Sequence, residues 1–167
     1  MHNLDILLVN LTNTLKMNQL VITTAESCTG GLIASFLTKL PGSSAWFDRG
    51  FVTYSNLSKH EMLDVELNLI KKHGAVSKEV AQAMVQGALA QSKADVAVAV
   101  TGIAGPTGGS LEKPVGTVYL AFALRDEQPV IDYCYFQKKT RETIRLLTCQ
   151  QAFKGVQSLI DKSLPYL

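Results

Sequence analysis

Three observations predict an α/β protein, a three-layer α/β/α sandwich around a mixed sheet of about five strands. Segments with helical spacing of apolar residues alternate along the chain with short β-branched runs, the pattern that lays helices on the faces of a largely parallel sheet. The run Val96, Ala97, Val98, Ala99, Val100 has no polar residue at alternate positions, so both its faces are covered and it lies centrally. Two β-rich segments flank a connection of only residues 125–129, which predicts an antiparallel hairpin and makes the sheet mixed.

The elements follow in order. Leu4, Leu7, Leu8, Leu11 and Leu15 form one apolar stripe and predict a helix over 3–18. Residues 20–24 are a β-branched run and predict the first strand. Segment 26–31 reads as a tight turn; Leu32, Ile33, Phe36, Leu37 and Leu40 then form the stripe of a second helix, stopped by Pro41 and Gly42. A strand is expected over 47–54. Ser55 or Asn56 then caps a helix carrying Lys59, Met62 and Leu63. A short helix over 66–72 ends at His73 and Gly74, and Ser77 caps the next, whose Val80, Ala81, Met84, Val85, Ala88 and Leu89 share a face. Strands over 96–100, 115–124 and 130–137 and a last helix over 141–164 complete the set.

The 167 residues predict one domain over 1–167, at ~150 residues per domain. Apolar residues at 47% and charged residues at 18% exclude intrinsic disorder. Sixteen Lys plus Arg against fourteen Asp plus Glu give a net charge of +2 with no basic run, so nucleic acid is not an expected partner. No window approaches the ~20 apolar residues of a membrane helix, and the first ten residues lack a basic n-region. A cytoplasmic protein with no membrane partner is expected. Cys28, Cys134 and Cys149 are odd in number and lie far apart without metal-ligand spacing, so free thiols and no metal are expected. The apolar segment Ala45, Trp46, Phe47 beside a turn suggests a subunit contact and a homo-oligomer.

Three places carry reactive groups. Ser27 follows a predicted strand and precedes a helix opening on Gly30 and Gly31; such a turn presents a hydroxyl beside unpaired backbone N–H groups suited to an oxyanion. The sequence is not GxSxG, and a helix-capping serine is an equal reading of the segment alone. Cys28 is a neighbouring thiol without a histidine pattern. Segment 54–59 gathers Tyr54, Ser55, Asn56, Ser58 and Lys59 at a strand-to-helix junction. To act as a base at pH 7, Lys59 must be neutral, which costs roughly 4.6 kcal/mol at its reference pKa unless burial or a nearby cation removes that cost. Otherwise it is a solvated surface residue. The third place is the glycine-rich loop 101–110, at the carboxyl end of the central strand, where open α/β sheets bind ligands; it is neither a Walker A motif nor GxGxxG, and a mobile turn is the alternative. Lys113 and the pair Arg141 and Arg145 on one helix face are candidate phosphate holders.

The segments TAESCTGG (24–31), PGSS (41–44), YSN (54–56) with Lys59, GAVS (74–77), TGIAGP (101–106) and EKPVGT (112–117) together resemble the CinA C-terminal-domain family over nearly the whole chain. Its enzymatic members are nicotinamide-nucleotide amidohydrolases. The resemblance implies deamidation of nicotinamide mononucleotide to nicotinic acid mononucleotide and ammonia, a step of pyridine-nucleotide salvage, with no metal or redox cofactor. Ser27 is then the nucleophile, Lys59 the general base and Tyr54 a hydroxyl that relays or positions the proton. Substrate contacts are expected from Thr29, Gly30 and Gly31 of the turn, from Thr101, Gly102 and Gly105 of the loop, and from the cations Arg49, Lys113, Arg141 and Arg145. Arg49 is also the expected cation beside Lys59. Leu57 and Ser58 stand where the family often has a Glu-Ala pair, and Thr107 sits at a variable loop position. The rival reading is a catalytically silent nucleotide-binding or interaction protein of the same fold, which would be free to lose Ser27, Tyr54 and Lys59.

Overall fold

The computed structural model describes residues 2–163. Its elements are α1 (His2–Met17), β1 (Ile22–Glu26), α2 (Leu32–Leu37), a 3-10 turn (Ser43–Ala45), β2 (Phe47–Val52), α3 (Asn56–Leu63), α4 (Leu67–His73), α5 (Lys78–Ala90), β3 (Val96–Gly102), β4 (Thr117–Leu124), β5 (Val130–Tyr135) and α6 (Arg141–Ser163). The strand order is β2-β1-β3-β4-β5. β1 pairs parallel with β2 and with β3, whereas β3 and β4, and β4 and β5, pair antiparallel. This is the expected mixed five-stranded sheet.

The central strand divides the two cores by side-chain size. Val96, Val98 and Val100 join a cluster with Leu4, Leu8, Leu11 and Leu15 of α1 and Ile144, Phe153 and Val156 of α6. Ala97 and Ala99 face the other way, toward Val80, Met84, Val85 and Ala88 of α5. Small residues on that face let α5 approach the sheet closely. Each buried leucine of the α1 stripe contributes about 2 kcal/mol relative to exposure.

Several boundaries differ from the sequence expectation by one to three residues, and for three of them the local reason is plain. β1 starts two residues later because the Val21 N–H donates to the Asp95 carboxyl group at 2.8 Å rather than to a strand; at its other end Glu26, expected in the turn, belongs to the strand, in register with Val52 and Val100. α2 stops at Leu37, not Leu40, because the Thr38 hydroxyl donates back to Ala34 O at 2.9 Å and the Trp46 indole N–H takes Leu37 O at 2.9 Å. β2 stops at Val52, since the Thr53 carbonyl turns to a side chain described below. The last helix is described to Ser163; Leu164 lies outside the described residues.

Trp46 corrects a further expectation. It is fully buried within its own chain, with Lys16 Nζ 4.4 Å from the ring centroid, so it offers no surface to a second subunit. No helix among the described residues is long and apolar enough to cross a membrane.

Candidate active site

Ser27 sits one residue past the carboxyl end of β1, where its N–H donates to Val100 O at 3.0 Å and so extends the β1–β3 pairing. This is the edge of an open sheet at which α/β proteins place ligands. On the other side, the Thr53 N–H donates to Glu26 O at 2.8 Å and extends the β1–β2 pairing. The Thr53 carbonyl, released from the ladder, accepts from Lys59 Nζ at 2.7 Å, and the same Nζ lies 3.1 Å from Ser27 Oγ. Nucleophile and base are thus within hydrogen-bond reach, with the base oriented by a third group.

Lys59 reaches this position from the first turns of α3. Ser55 caps that helix, accepting from Ser58 N at 3.0 Å, while Ser58 Oγ accepts from Ser55 N at 3.1 Å. Ser58, a departure from the family pattern, therefore completes a capping box. The Lys59 side chain is 1% exposed, and burial lowers its pKa from 10.5 to about 8. Most of the cost of a neutral amine is thereby removed by desolvation. Arg49 takes no part in this: its guanidinium pairs with Asp48 and donates to Gln91 O at the end of α5. The expected cation beside Lys59 is corrected, because an edge-strand arginine is held by its own neighbour.

The remaining candidates divide. Burial raises the Cys28 thiol to about 12, which leaves it inert at neutral pH. His60 Nδ1 bonds Val65 O and His73 Nδ1 lies 3.6 Å from Glu79; neither ring bonds Ser27. The Tyr54 hydroxyl accepts from Arg141 at 2.9 Å, and Arg141 also donates to Gly105 O at 2.8 Å. Arg141 thus ties the β2–α3 turn to the glycine-rich loop, and the hydrogen bond that Tyr54 makes is with Arg141 rather than with Ser27 or Lys59. Arg145 donates to Thr29 O at 2.7 Å. Lys113 is drawn to His73 O at 2.8 Å and the Thr101 hydroxyl to Ala75 O at 2.7 Å, both anchoring the chain that follows α4.

Sequence reasoning missed Glu26. Its side chain, 1% exposed, accepts from the N–H groups of Gly31 at 3.1 Å, Ile33 at 3.0 Å and Ala34 at 2.8 Å. The expectation that the start of α2 presents free N–H groups is therefore corrected: an acidic residue of the chain itself occupies them. In the turn, the N–H groups of Cys28 and Thr29 donate to no oxygen among the described residues. The signal was available in part, because an acid just ahead of a short helix complements its first turn.

Fold and site define an α/β/α protein with a buried serine–lysine pair at the carboxyl edge of its parallel strands. The chain belongs to the CinA C-terminal domain family, whose model matches residues 5–160. It is 52% identical over 134 residues to the nicotinamide-nucleotide amidohydrolase PncC of Enterobacter agglomerans, covering 80% of this chain and 71% of that protein. It is 49% identical over 142 residues to a CinA-like protein of Akkermansia muciniphila, covering 85% of this chain but 34% of that longer protein. The crystal structure of the competence/damage inducible protein CihA from Agrobacterium tumefaciens superposes with a TM-score of 0.92 at 45% identity, covering 94% of this chain and 95% of that one.

Proposed function

We propose that this protein is a nicotinamide-nucleotide amidohydrolase that converts nicotinamide mononucleotide to nicotinic acid mononucleotide and ammonia, a salvage reaction for pyridine nucleotides. The observation that carries the reading is the 3.1 Å approach of Lys59 Nζ to Ser27 Oγ, made by an amine whose burial leaves it titrating at about 8. The 52% identity to an enzyme of that name supports the substrate class.

In this mechanism neutral Lys59 has two N–H bonds and one lone pair. One N–H is held by the Thr53 carbonyl, which leaves the lone pair to accept the Ser27 proton. Ser27 Oγ attacks the carboxamide carbon as that proton passes to Nζ. The tetrahedral oxyanion is met by the N–H groups of Cys28 and Thr29, the two in the turn with no oxygen acceptor. Protonated Lys59 then gives its proton to the departing nitrogen, and ammonia leaves an acyl-serine. A water molecule, deprotonated by Lys59, attacks that ester; the proton returns to Ser27 Oγ as the acid is released. In this reading Arg141 and Arg145 meet the substrate phosphate; what supports it is that each has N–H donors beyond those it spends on carbonyl oxygens and, for Arg141, on the Tyr54 hydroxyl.

Incubation of the purified protein with nicotinamide mononucleotide, following ammonia and the acid product, tests the reading. Turnover that disappears in Ser27→Ala is the expected result; no turnover by the wild-type chain from pH 6 to 10 overturns it in favour of a silent member of the fold.

A further inference from the structure

The distance between nucleophile and base is fixed by a residue that touches neither reacting atom. Glu26 closes a loop around Ser27: its carboxyl oxygens hold the N–H groups of Gly31, Ile33 and Ala34, so residues 27–30 are suspended between its backbone and its side chain. The same residue faces the base, because its main-chain oxygen takes the Thr53 N–H, and the Thr53 carbonyl takes Lys59 Nζ. One arm therefore sets where Ser27 stands and the other sets where Lys59 stops.

We infer that Glu26 is a positioning residue, which holds Ser27 Oγ within hydrogen-bond reach of Lys59 Nζ by tying the nucleophile turn to the start of α2. The inference rests on the serine–lysine reading above. Both carboxyl oxygens accept and neither donates; Oε1 takes Ala34 and the Thr24 hydroxyl, and Oε2 takes Gly31 and Ile33. A glutamine has the same shape but only one acceptor oxygen, so its amide nitrogen must confront N–H donors on one side. The turn then loses its tether with little change in side-chain volume. A displacement of about 1 Å at a reacting group costs on the order of 100-fold in rate.

The experiment is Glu26→Gln in the full chain, assayed with nicotinamide mononucleotide and crystallised. The plateau kcat is expected to fall at least 30-fold with KM within threefold. The pH at half-maximal kcat/KM should stay in place, because the burial of Lys59 is untouched, and Ser27 Oγ and Lys59 Nζ should lie beyond 3.5 Å. A kcat within twofold of wild type, or a retained 3.1 Å contact, overturns the inference. So does a loss that follows only the folded fraction measured by circular dichroism, which would leave Glu26 with a stability role alone. If the glutamine variant does not fold, Glu26→Asp keeps two acceptors on a shorter arm and is judged by the same distance and the same kcat. Absence of turnover in the wild type sinks the enzymatic reading instead, and the crystallographic distance still decides the role of Glu26.

Discussion

Two glycine-bearing turns lie at the carboxyl edge of adjacent strands, and they read alike in the sequence. After β1, Gly30 and Gly31 have positive φ, +59° and +92°, and the nearest heavy atom to a Cβ placed on Gly30 would be an Arg145 nitrogen at 3.8 Å. After β3, Gly105 also has positive φ, +74°, but a Cβ there would collide with the Val115 side chain, and one on Gly102 would lie 2.8 Å from Thr117 O. The first turn is open beside its glycine and reactive next door. The second is filled by residues just ahead of β4 and at its start. Glycine at positive φ thus serves presentation in one case and close packing of a loop on a hairpin in the other.

The sharpest test of this contrast is at the first turn. Ser27→Ala should lower kcat by at least three orders of magnitude with substrate affinity held within a few fold, as calorimetric titration with nicotinamide mononucleotide would show. Lys59→Met comes next, with a kcat loss of about 10²- to 10⁴-fold. Lys59→Arg should lose as much, because arginine cannot give up its proton. In the wild type, kcat/KM should climb tenfold per pH unit below about 8 and level off above it, since only the neutral amine accepts a proton.

The methionine variant carries a second expectation, for stability. Burial depresses Lys59 from 10.5 to about 8, so between these values the unfolded chain holds a proton that the folded chain does not. Stability therefore rises with pH across 8 to 10.5, and the full deficit is present below 8. That deficit is about 3 kcal/mol, set against about 1–3 kcal/mol for leaving the buried Thr53 carbonyl unpaired in the variant. The stability of Lys59→Met relative to the wild type should accordingly fall by about 3 kcal/mol between pH 7 and pH 10.5 in denaturant titrations, whatever its value at pH 7.

The second turn should answer to volume instead. Gly105→Ala is expected to destabilise by about 2–3 kcal/mol, combining strain at positive φ with the clash on Val115; the double variant with Val115→Ala should recover the part due to the clash. Gly30→Ala should cost only the backbone strain, about 1 kcal/mol, and show itself mainly in kcat. The smallest effect belongs to Cys28→Ala. A thiol raised to about 12 contributes no thiolate, so turnover should stay within about threefold. A fall to background would move the nucleophile from Ser27 to the thiol.

The legibility of these features in the sequence follows from their range. Helix stripes and the valine–alanine central strand depend on periodicity, and the order of elements and the mixed sheet were readable. Ser27 and Lys59 were readable as residues, and the motif resemblance joined them. Their separation was not, because it depends on Thr53 leaving the ladder, an event set by contacts between 26, 53 and 59. Arg49 misled because charge and proximity in sequence say nothing about which face of an edge strand a side chain takes. Trp46 misled likewise: an aromatic beside a turn looks exposed until Leu37, nine residues earlier, supplies a carbonyl for its indole. Glu26 was legible only in part, as an acid ahead of a short helix, because the groups it satisfies begin five residues downstream.

The bond from Lys59 Nζ to the Thr53 carbonyl has a consequence for temperature. A free lysine side chain carries about 2 kcal/mol of rotamer entropy, which an exposed base would surrender each time it met its partner. Here that freedom is lost once, during folding, because Nζ is held at 2.7 Å by the carbonyl of a residue whose own N–H is bonded to the neighbouring strand. The amine begins every catalytic cycle already arrested. Acylation should therefore show a small activation entropy and a barrier dominated by enthalpy, while variants that loosen the Thr53 peptide should shift the barrier toward entropy and flatten the dependence of rate on temperature.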